Sequence, residues 1–549
     1  MKSRLFSNKS NNKIVNALWL SATISLWITL VANVGFWTNV HAITPFDNPR
    51  QWAFGFCLSV TLFSLNWLVS CFFSFRPIVK WWLSLQLMAA AICSYFILAY
   101  GVVIDESMIV NSLQTDAREV RDLLSTGMGL SLALIALPGL VYIWRKQLSS
   151  TRFFKQSFYN ISCIAVAALM LIGSIFVMYQ DFSSLMRNNT ALRHKITPLN
   201  AFWGLRQALT EPLRRGDGTI KAIGDDAKQS ANSTSAKKPK LIIYIVGETA
   251  RSINFSLNGY GRNTNPKLSN LDVISFTEVA SCGTATAASL PCMFSSLGRE
   301  AFTASRGNQE GLLDVLKKAG ITQLWRNNNS GCKGACDRIP SEDVSRVATS
   351  RFCTSSQCFD EILLEGLSEK LKTLSDKPTN TMLTLHQLGS HGPAYYLRSP
   401  TAFKSFLPEC QTNQLQQCPK ENIVNAYDNT IVYTDHLIAQ SIEFLKSLSN
   451  VYDTALVYVS DHGESLGEGG TYLHGLPYSF APKVQKHVPL IVWLSDSLSS
   501  RLKIDKQCLQ SIRNKPLSHD NLFHSLLFLN EVETTLYRAE QNLFAQCSK

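Results

Sequence analysis

Five apolar runs crowd the first 180 residues, and the remaining 369 read as a water-soluble α/β protein. The runs cover about Ile14–Trp37, Ala53–Phe75, Val79–Ile104, Met128–Trp144 and Phe158–Tyr179. Each is near the ~20 residues that a membrane-crossing helix needs. Buried core helices could explain one such run, but not five in succession. The pattern predicts an α-helical membrane domain of five transmembrane helices over residues 1–180. Val40-His41-Ala42 resembles a signal-peptide cleavage site. The first run is longer than the about 7–15 residues of a signal h-region, so it is read as an anchor that stays.

Lys and Arg set the expected orientation. Lys2, Arg4, Lys9, Lys13, Arg76, Lys80, Arg145, Lys146, Arg152 and Lys155 fall on one side. Arg50, Arg118 and Arg121 fall on the other, offset by Asp105, Glu106, Asp116, Glu119 and Asp122. The N-terminus is expected in the cytoplasm and residues 181–549 outside it. Of the net charge of +12, residues 1–180 carry +7, from 13 Lys+Arg against 6 Asp+Glu. Most of the excess is a topology signal, and no nucleic-acid partner is expected.

The cysteines agree with an outer, oxidising location. Cys57, Cys71, Cys93 and Cys163 lie in the apolar runs and read as small buried apolar residues. The other ten lie after residue 240. Spacing suggests Cys282–Cys292, Cys332–Cys336, Cys353–Cys358 and Cys410–Cys418, leaving Cys508 with Cys547. Zinc thiolate sites are the alternative, but no surrounding Cys/His set has finger spacing.

Residues 181–239 form an intermediate region. From about Gln180 to Leu213, Phe182, Leu185, Leu192, Leu199, Phe202, Trp203 and Leu205 alternate with basic and polar residues. This stretch suits a membrane interface or an ordinary packed helix. Residues 215–238, poor in apolar positions, read as a flexible linker. From residue 240 to 549 strands alternate with helices, which predicts a largely parallel sheet with covered faces. Strands are expected at 241–246, 321–325, 381–385, 454–459 and 488–494, and helices at about 308–319, 360–373 and 422–448.

Polar residues gather at the ends of these strands. Glu248 follows the first, and Asn327, Asn328, Asn329, Ser330 and Lys333 follow the second. His386 and His391 follow the third; Asp461, His462 and Glu464 follow the fourth, with His474 twelve residues past His462. Sites in open α/β sheets form at carboxyl ends of strands. A carboxylate beside an imidazole suits Zn²⁺, while a strand ending in a polar turn is the plain alternative. For a nucleophile, the stretch Ser281 to Cys292 offers Thr284, Thr286 and Ser289 among small residues. Thr286 stands where a helix could begin, and helix N-termini suit phosphate. By residues alone a capping threonine is the simpler reading. Beside zinc, Thr286 becomes a plausible nucleophile, held as an alkoxide.

With these motifs in hand, the chain resembles the lipid A phosphoethanolamine transferases of the alkaline-phosphatase/sulfatase superfamily, a family that includes the mobile colistin-resistance enzymes. The resemblance is carried by Gly247-Glu248-Thr249-Ala250-Arg251, Ser281-Cys282-Gly283-Thr284-Ala285-Thr286, Trp325-Arg326-Asn327-Asn328-Asn329, His386 to Pro393 and Ser460 to Glu468. It implies an alkaline-phosphatase-like outer domain. It implies a catalytic zinc on Glu248, Thr286, Asp461 and His462, with a second zinc in turnover, and Thr286 as nucleophile. It implies roles near the phosphate for His391, His474 and Lys333. It implies that Asn329, Ser330 and Glu464 line the phosphoethanolamine pocket, which Asn111 and Thr115 approach from the membrane side. The implied reaction moves phosphoethanolamine from phosphatidylethanolamine to a lipid A phosphate through a threonine adduct. The implied setting is a monomer in a Gram-negative inner membrane with its catalytic domain in the periplasm. The implied outcome is a less anionic surface and polymyxin resistance.

Two other readings share parts of this pattern. Phosphoglycerol transfer, sulfate hydrolysis or transfer to another envelope glycan would use the same fold, although Thr286 argues against a formylglycine sulfatase. A transporter or receptor would have five helices too, but charged residues are almost absent inside the apolar runs.

Overall fold

A computed structural model describes residues 14–548 apart from 116, 215–219, 306–308, 346, 348, 349, 355 and 356. Lys2, Arg4, Lys9, Lys13 and Asp116, the side chains of Arg118 and Glu119, the first five residues of the expected linker and the start of the helix expected at 308 lie outside the described residues. The chain divides into two units. One is Met1–Glu106 with Leu124–Arg206; the other is Ser107–Leu123 with Gln207–Lys549.

The first unit is helical. Pro49–Phe72, Val79–Tyr100, Thr126–Arg145 and Phe153–Val177 are each long and apolar enough to cross a membrane. Ala17–Ala32 and Val34–Ile43 make a fifth span if the pair, bent by 54°, counts as one. The bend has a cause at Asn33. Its Nδ2 donates to Ile28 O and Thr197 O, and its Oδ1 accepts from the Thr197 N–H, each at 2.9 Å. Those bonds to a distant segment replace a continuous helical ladder. Outward positions are apolar, with Phe154 and Phe176 exposed, as lipid-facing helices require. Inside, Ser70 Oγ donates to Gln86 Oε1 at 2.8 Å, and the Thr61 and Ser174 hydroxyls of Pro49–Phe72 and Phe153–Val177 bond to each other at 2.9 Å. Such polar contacts hold helices together where apolar burial gives no preference. Cys71 and Cys163, expected as separate buried thiols, are instead joined to each other, whereas Cys57 and Cys93 are free.

The second unit is built on an eight-stranded sheet. Its strands are β1 (Lys240–Gly247), β2 (Ile274–Ala280), β3 (Thr322–Asn327), β4 (Ser341–Asp343), β5 (Thr381–His386), β6 (Asp453–Ser460), β7 (His487–Leu494) and β8 (Leu517–Ser518). The order is β8-β2-β7-β6-β1-β5-β3-β4. β7 runs antiparallel to β6 and β2, and the remaining pairings are parallel. β1, β5 and β6 are buried along their whole length, which explains their continuous apolar runs. Leu241, Ile243 and Ile245 pack with residues of the 28-residue helix Lys420–Ser447. Ile242, Tyr244 and Val246 pack on the other side with residues of helices Leu312–Lys318 and Asp520–Leu529. The helix expected over 360–373 is broken into a short turn, Asp360–Leu363, and a helix, Leu367–Leu374. Left-handed Gly366 stands between them.

The stretch expected as a flexible linker is, from residue 220 on, part of this unit. Lys228–Gln229 pairs with Val532–Glu533, and Ser233 Oγ accepts from Lys240 Nζ at 2.8 Å. Its polar residues find partners about 300 residues further on, which local composition cannot reveal. Five further cysteine pairs are joined here: Cys282 with Cys292, Cys332 with Cys336, Cys353 with Cys358, Cys410 with Cys418, and Cys508 with Cys547.

Candidate active site

The parallel register of β1, β5 and β6 brings their carboxyl ends to one edge, with Val246 opposite His386 and Gly247 opposite Ser460. Glu248 leaves β1 there, and Asp461 and His462 leave β6. All three are buried, and one ligand atom from each lies within 4.8 Å of the other two. His462 Nε2 is 3.3 Å from Glu248 Oε1 and 3.3 Å from Asp461 Oδ2. His462 Nδ1 lies 2.9 Å from Gly463 O. A carbonyl can only accept, so Nδ1 carries a proton, and Nε2, which faces the two carboxylates, is the nitrogen that would turn its lone pair to a metal on losing its own proton.

Thr286 is the first residue of helix Thr286–Met293, preceded by Ala285, which has no side-chain cap. Its hydroxyl therefore does not serve as a cap. It donates toward Glu248 Oε1 and Oε2 at 3.2 and 3.1 Å, with His462 Nε2 3.4 Å away. The two neighbouring hydroxyls are engaged elsewhere. Thr284 Oγ1 donates to Leu476 O at 2.6 Å, and Ser289 Oγ to Asp461 O at 2.5 Å.

The electrostatics call for a cation. Burial, then the nearby Glu248 charge, pushes the Asp461 carboxyl up to about 7. Burial alone would lower the His462 imidazole, but Asp461 and Glu248 outweigh it and raise it to about 10. Among the described residues Asp461 Oδ2 is buried with no hydrogen-bond partner. Two carboxylates, one of them with this buried oxygen, an imidazole nitrogen and a hydroxyl form a donor set that fits zinc.

Glu248 is held by its neighbours. Thr249 Oγ1 donates to Oε1 at 2.6 Å and Asn329 Nδ2 to Oε2 at 2.8 Å. Thr249 has φ of +60°, a costly conformation for a β-branched residue, and its N–H donates to Asp461 Oδ1 at 3.1 Å. Asn329 thus touches a carboxylate of the cluster rather than only lining a pocket. Ser330 follows it, its N–H donating to Asn329 Oδ1 at 2.7 Å. His474 Nδ1 is 3.3 Å from Glu464 Oε2, and its ring centre lies 4.3 Å from that of His462 and 5.7 Å from that of His391. Lys333 Nζ donates to Ser330 O at 3.1 Å and to Gln114 O at 3.3 Å. Asn111 and Thr115 belong to the same unit and bond to each other, Thr115 Oγ1 donating to Asn111 O at 2.7 Å. Among the described residues their side chains make no hydrogen bond with the cluster; Lys333 reaches that segment instead.

With this geometry the comparisons with known proteins become informative. A family model described as sulfatase matches residues 240–531, and one described as phosphoethanolamine transferase EptA/EptB matches residues 62–213. Phosphoethanolamine transferase EptA of Escherichia coli K12 is 39% identical over 100% of both chains. Phosphatidylethanolamine transferase Mcr-1 of Escherichia coli is 35% identical, over 87% of this chain and 90% of its own. The solved structure of the integral membrane protein lipooligosaccharide phosphoethanolamine transferase A from Neisseria meningitidis superposes with a TM-score of 0.91. It is 34% identical and the match covers 97% of this chain and 99% of that one.

The chain belongs to the phosphoethanolamine transferases.

In this transferase two further residues, His386 and Thr249, brace the cluster through hydrogen bonds. His386 has its Nδ1 2.9 Å from Asn327 Oδ1 and its Nε2 3.3 Å from Asn329 Nδ2. Burial holds this ring down to about 4, hence neutral, and it orients the amide that grips Glu248. Thr249 lies inside the Gly247–Arg251 motif, but nothing local to it shows that it bonds to both Glu248 and Asp461.

Proposed function

We propose that the transferase moves phosphoethanolamine from phosphatidylethanolamine to a lipid A phosphate, through Thr286, on the periplasmic face of a bacterial inner membrane. One observation carries this reading. Of the four hydroxyls from Ser281 to Cys292, Thr286 alone faces Glu248 and His462, while Ser281, Thr284 and Ser289 hold backbone carbonyls. Relatives support the two substrates by name, phosphatidylethanolamine for Mcr-1 and lipooligosaccharide for the Neisseria protein. Five joined cysteine pairs suit an oxidising compartment.

Glu248, Asp461, His462 and the Thr286 hydroxyl would hold zinc. When bound, zinc would favour the deprotonated Thr286 hydroxyl and polarise a phosphoryl oxygen. Thr286 Oγ1 forms a bond to phosphorus as the bond to the diacylglycerol oxygen breaks. His391, His474 and Lys333 supply positive or hydrogen-bonding character beside the transferring group. A phosphate oxygen of lipid A then attacks the same phosphorus and frees Thr286. Splitting the transfer in two lets each half-reaction use one aligned nucleophile. The added amine lowers the net negative charge of the surface, so polymyxins bind it less.

Wild type given phosphatidylethanolamine without acceptor should accumulate a phosphoethanolamine adduct on the peptide holding Thr286. Thr286→Ala should fold and lose transfer, and lipid A from cells making it should lack the added mass. An adduct on Thr284 or Ser289, or an active Thr286→Ala protein, would end this reading.

A further inference from the structure

His519 lies outside every motif used so far. It follows β8, precedes helix Asp520–Leu529, and is 1% exposed. Both ring nitrogens are committed. The Cys282 N–H donates to Nδ1 at 3.0 Å, so Nδ1 carries a lone pair. Nε2 therefore carries the proton and donates to Ser460 O at 3.0 Å. The backbone N–H of His519 donates to Ala280 O at 3.0 Å, and Ser289 Oγ lies 3.3 Å from Nδ1.

These contacts join two segments that do not pair in the sheet. Cys282 opens the loop leading from β2 to Thr286, and Ser460 ends β6 just before Asp461 and His462. β7 lies between β2 and β6. Ser289, in the nucleophile helix, adds a second tie through Asp461 O. Burial keeps the ring neutral, its pKa pushed down to about 3, so proton transfer is not its role.

We infer that His519 is a positioning residue that sets Thr286 Oγ1 against the Glu248, Asp461 and His462 cluster by bridging Cys282 and Ser460. The inference rests on Thr286 as nucleophile. It deepens that reading, because the two tied segments carry the attacking atom and its activating residues. An error of about 1 Å in such a pair can cost on the order of a hundredfold in rate.

The test uses full-length protein in mixed micelles with phosphatidylethanolamine, comparing His519→Asn and His519→Leu with wild type. Asn keeps an acceptor near the Nδ1 position for the Cys282 N–H, while Leu keeps neither bond. Zinc content, melting temperature, kcat, KM for the donor and the rate of adduct formation on the Thr286 peptide are measured. The expected result is zinc retained and KM unchanged, with kcat about ten- to a hundredfold lower in His519→Leu and less reduced in His519→Asn. Wild-type kcat in His519→Leu overturns the inference. So does an equal loss in both variants that tracks only the folded fraction. Should His519→Leu fail to fold, His519→Asn decides: reduced kcat at unchanged KM supports the inference, and wild-type kcat overturns it. A wild-type protein that forms no adduct on Thr286 refutes the nucleophile itself, whereas adducts formed at the wild-type rate in the variants refute only the role of His519.

Discussion

Gly389→Ala should damage the site without replacing any proposed zinc ligand. Gly389 sits in the turn after β5 at φ of +55°, with its Cα facing the backbone of Glu248. A methyl group there would lie 2.7 Å from Glu248 O, 3.0 Å from its Cβ and 3.1 Å from its N. Ordinary contact begins at 3.4 Å, so one segment must retreat by about 0.7 Å in a close-packed interior. Neither yields easily. The Gly389 N–H donates to Asp360 Oδ2 at 2.9 Å, the Ser390 N–H donates to Glu248 O at 3.0 Å, and β1 is paired on both sides. Gly366→Ala supplies the control. Gly366 has φ of +66° and open space around it, so its substitution measures the left-handed backbone cost alone, about 1–2 kcal/mol. Gly389→Ala should add an overpacking cost of about 1–3 kcal/mol. Moving the Glu248 carboxylate by a sizeable fraction of an ångström should also lower turnover about tenfold or more. Thermal unfolding, zinc analysis and turnover of labelled phosphatidylethanolamine in full-length protein read the three effects. If Gly389→Ala matches Gly366→Ala in melting temperature, zinc content and turnover, the claim that this contact sets the Glu248 position is wrong.

Asp461→Ala should lose most bound zinc, because it removes one of three converging ligands and the buried oxygen that lacks a partner; metal analysis showing full zinc in this variant refutes the ligand set. His519 also predicts an acid limb of stability. The unfolded imidazole titrates near 6.5, and burial pushes the folded one down to about 3. Between those values the unfolded chain binds a proton that the folded chain refuses. Stability therefore falls as pH drops below 6.5, by about 1.4 kcal/mol per pH unit, and the loss levels off below the folded value. His519→Asn should flatten this slope, and equal slopes in urea titrations of the two proteins between about pH 6 and pH 4.5 would contradict it. For topology, reporter fusions within residues 145–155 should read cytoplasmic and fusions after residue 220 periplasmic; a cytoplasmic signal after 220 would remove the basis for both the disulfides and the substrate.

The apolar runs and the strand ends were legible in the chain because each is locally complete. Pro49–Phe72 and Phe153–Val177 carry their own apolar length, and a helix satisfies its own backbone wherever it lies. Likewise Glu248, Asp461 and His462 each follow a continuous buried strand, and parallel strands carry such residues to a common edge. Other features depended on partners far away in the chain. Strand β2 mixes exposed and buried positions and was not anticipated; its pairing with β7 defines it. Residues 220–238 look like a linker until Val532–Glu533 supplies their hydrogen bonds. Asn33 breaks a helix only because Thr197 stands opposite. The joining of Cys71 to Cys163 required two helices to meet. The choice among Thr284, Thr286 and Ser289 is of the same kind, since three similar hydroxyls differ only in what the fold sets before them. Leu476 and Asp461 offer carbonyls to two of them, and Glu248 and His462 meet the third. A local pattern can announce which chemistry is available, but which atom performs it depends on contacts between segments that only the folded chain brings together.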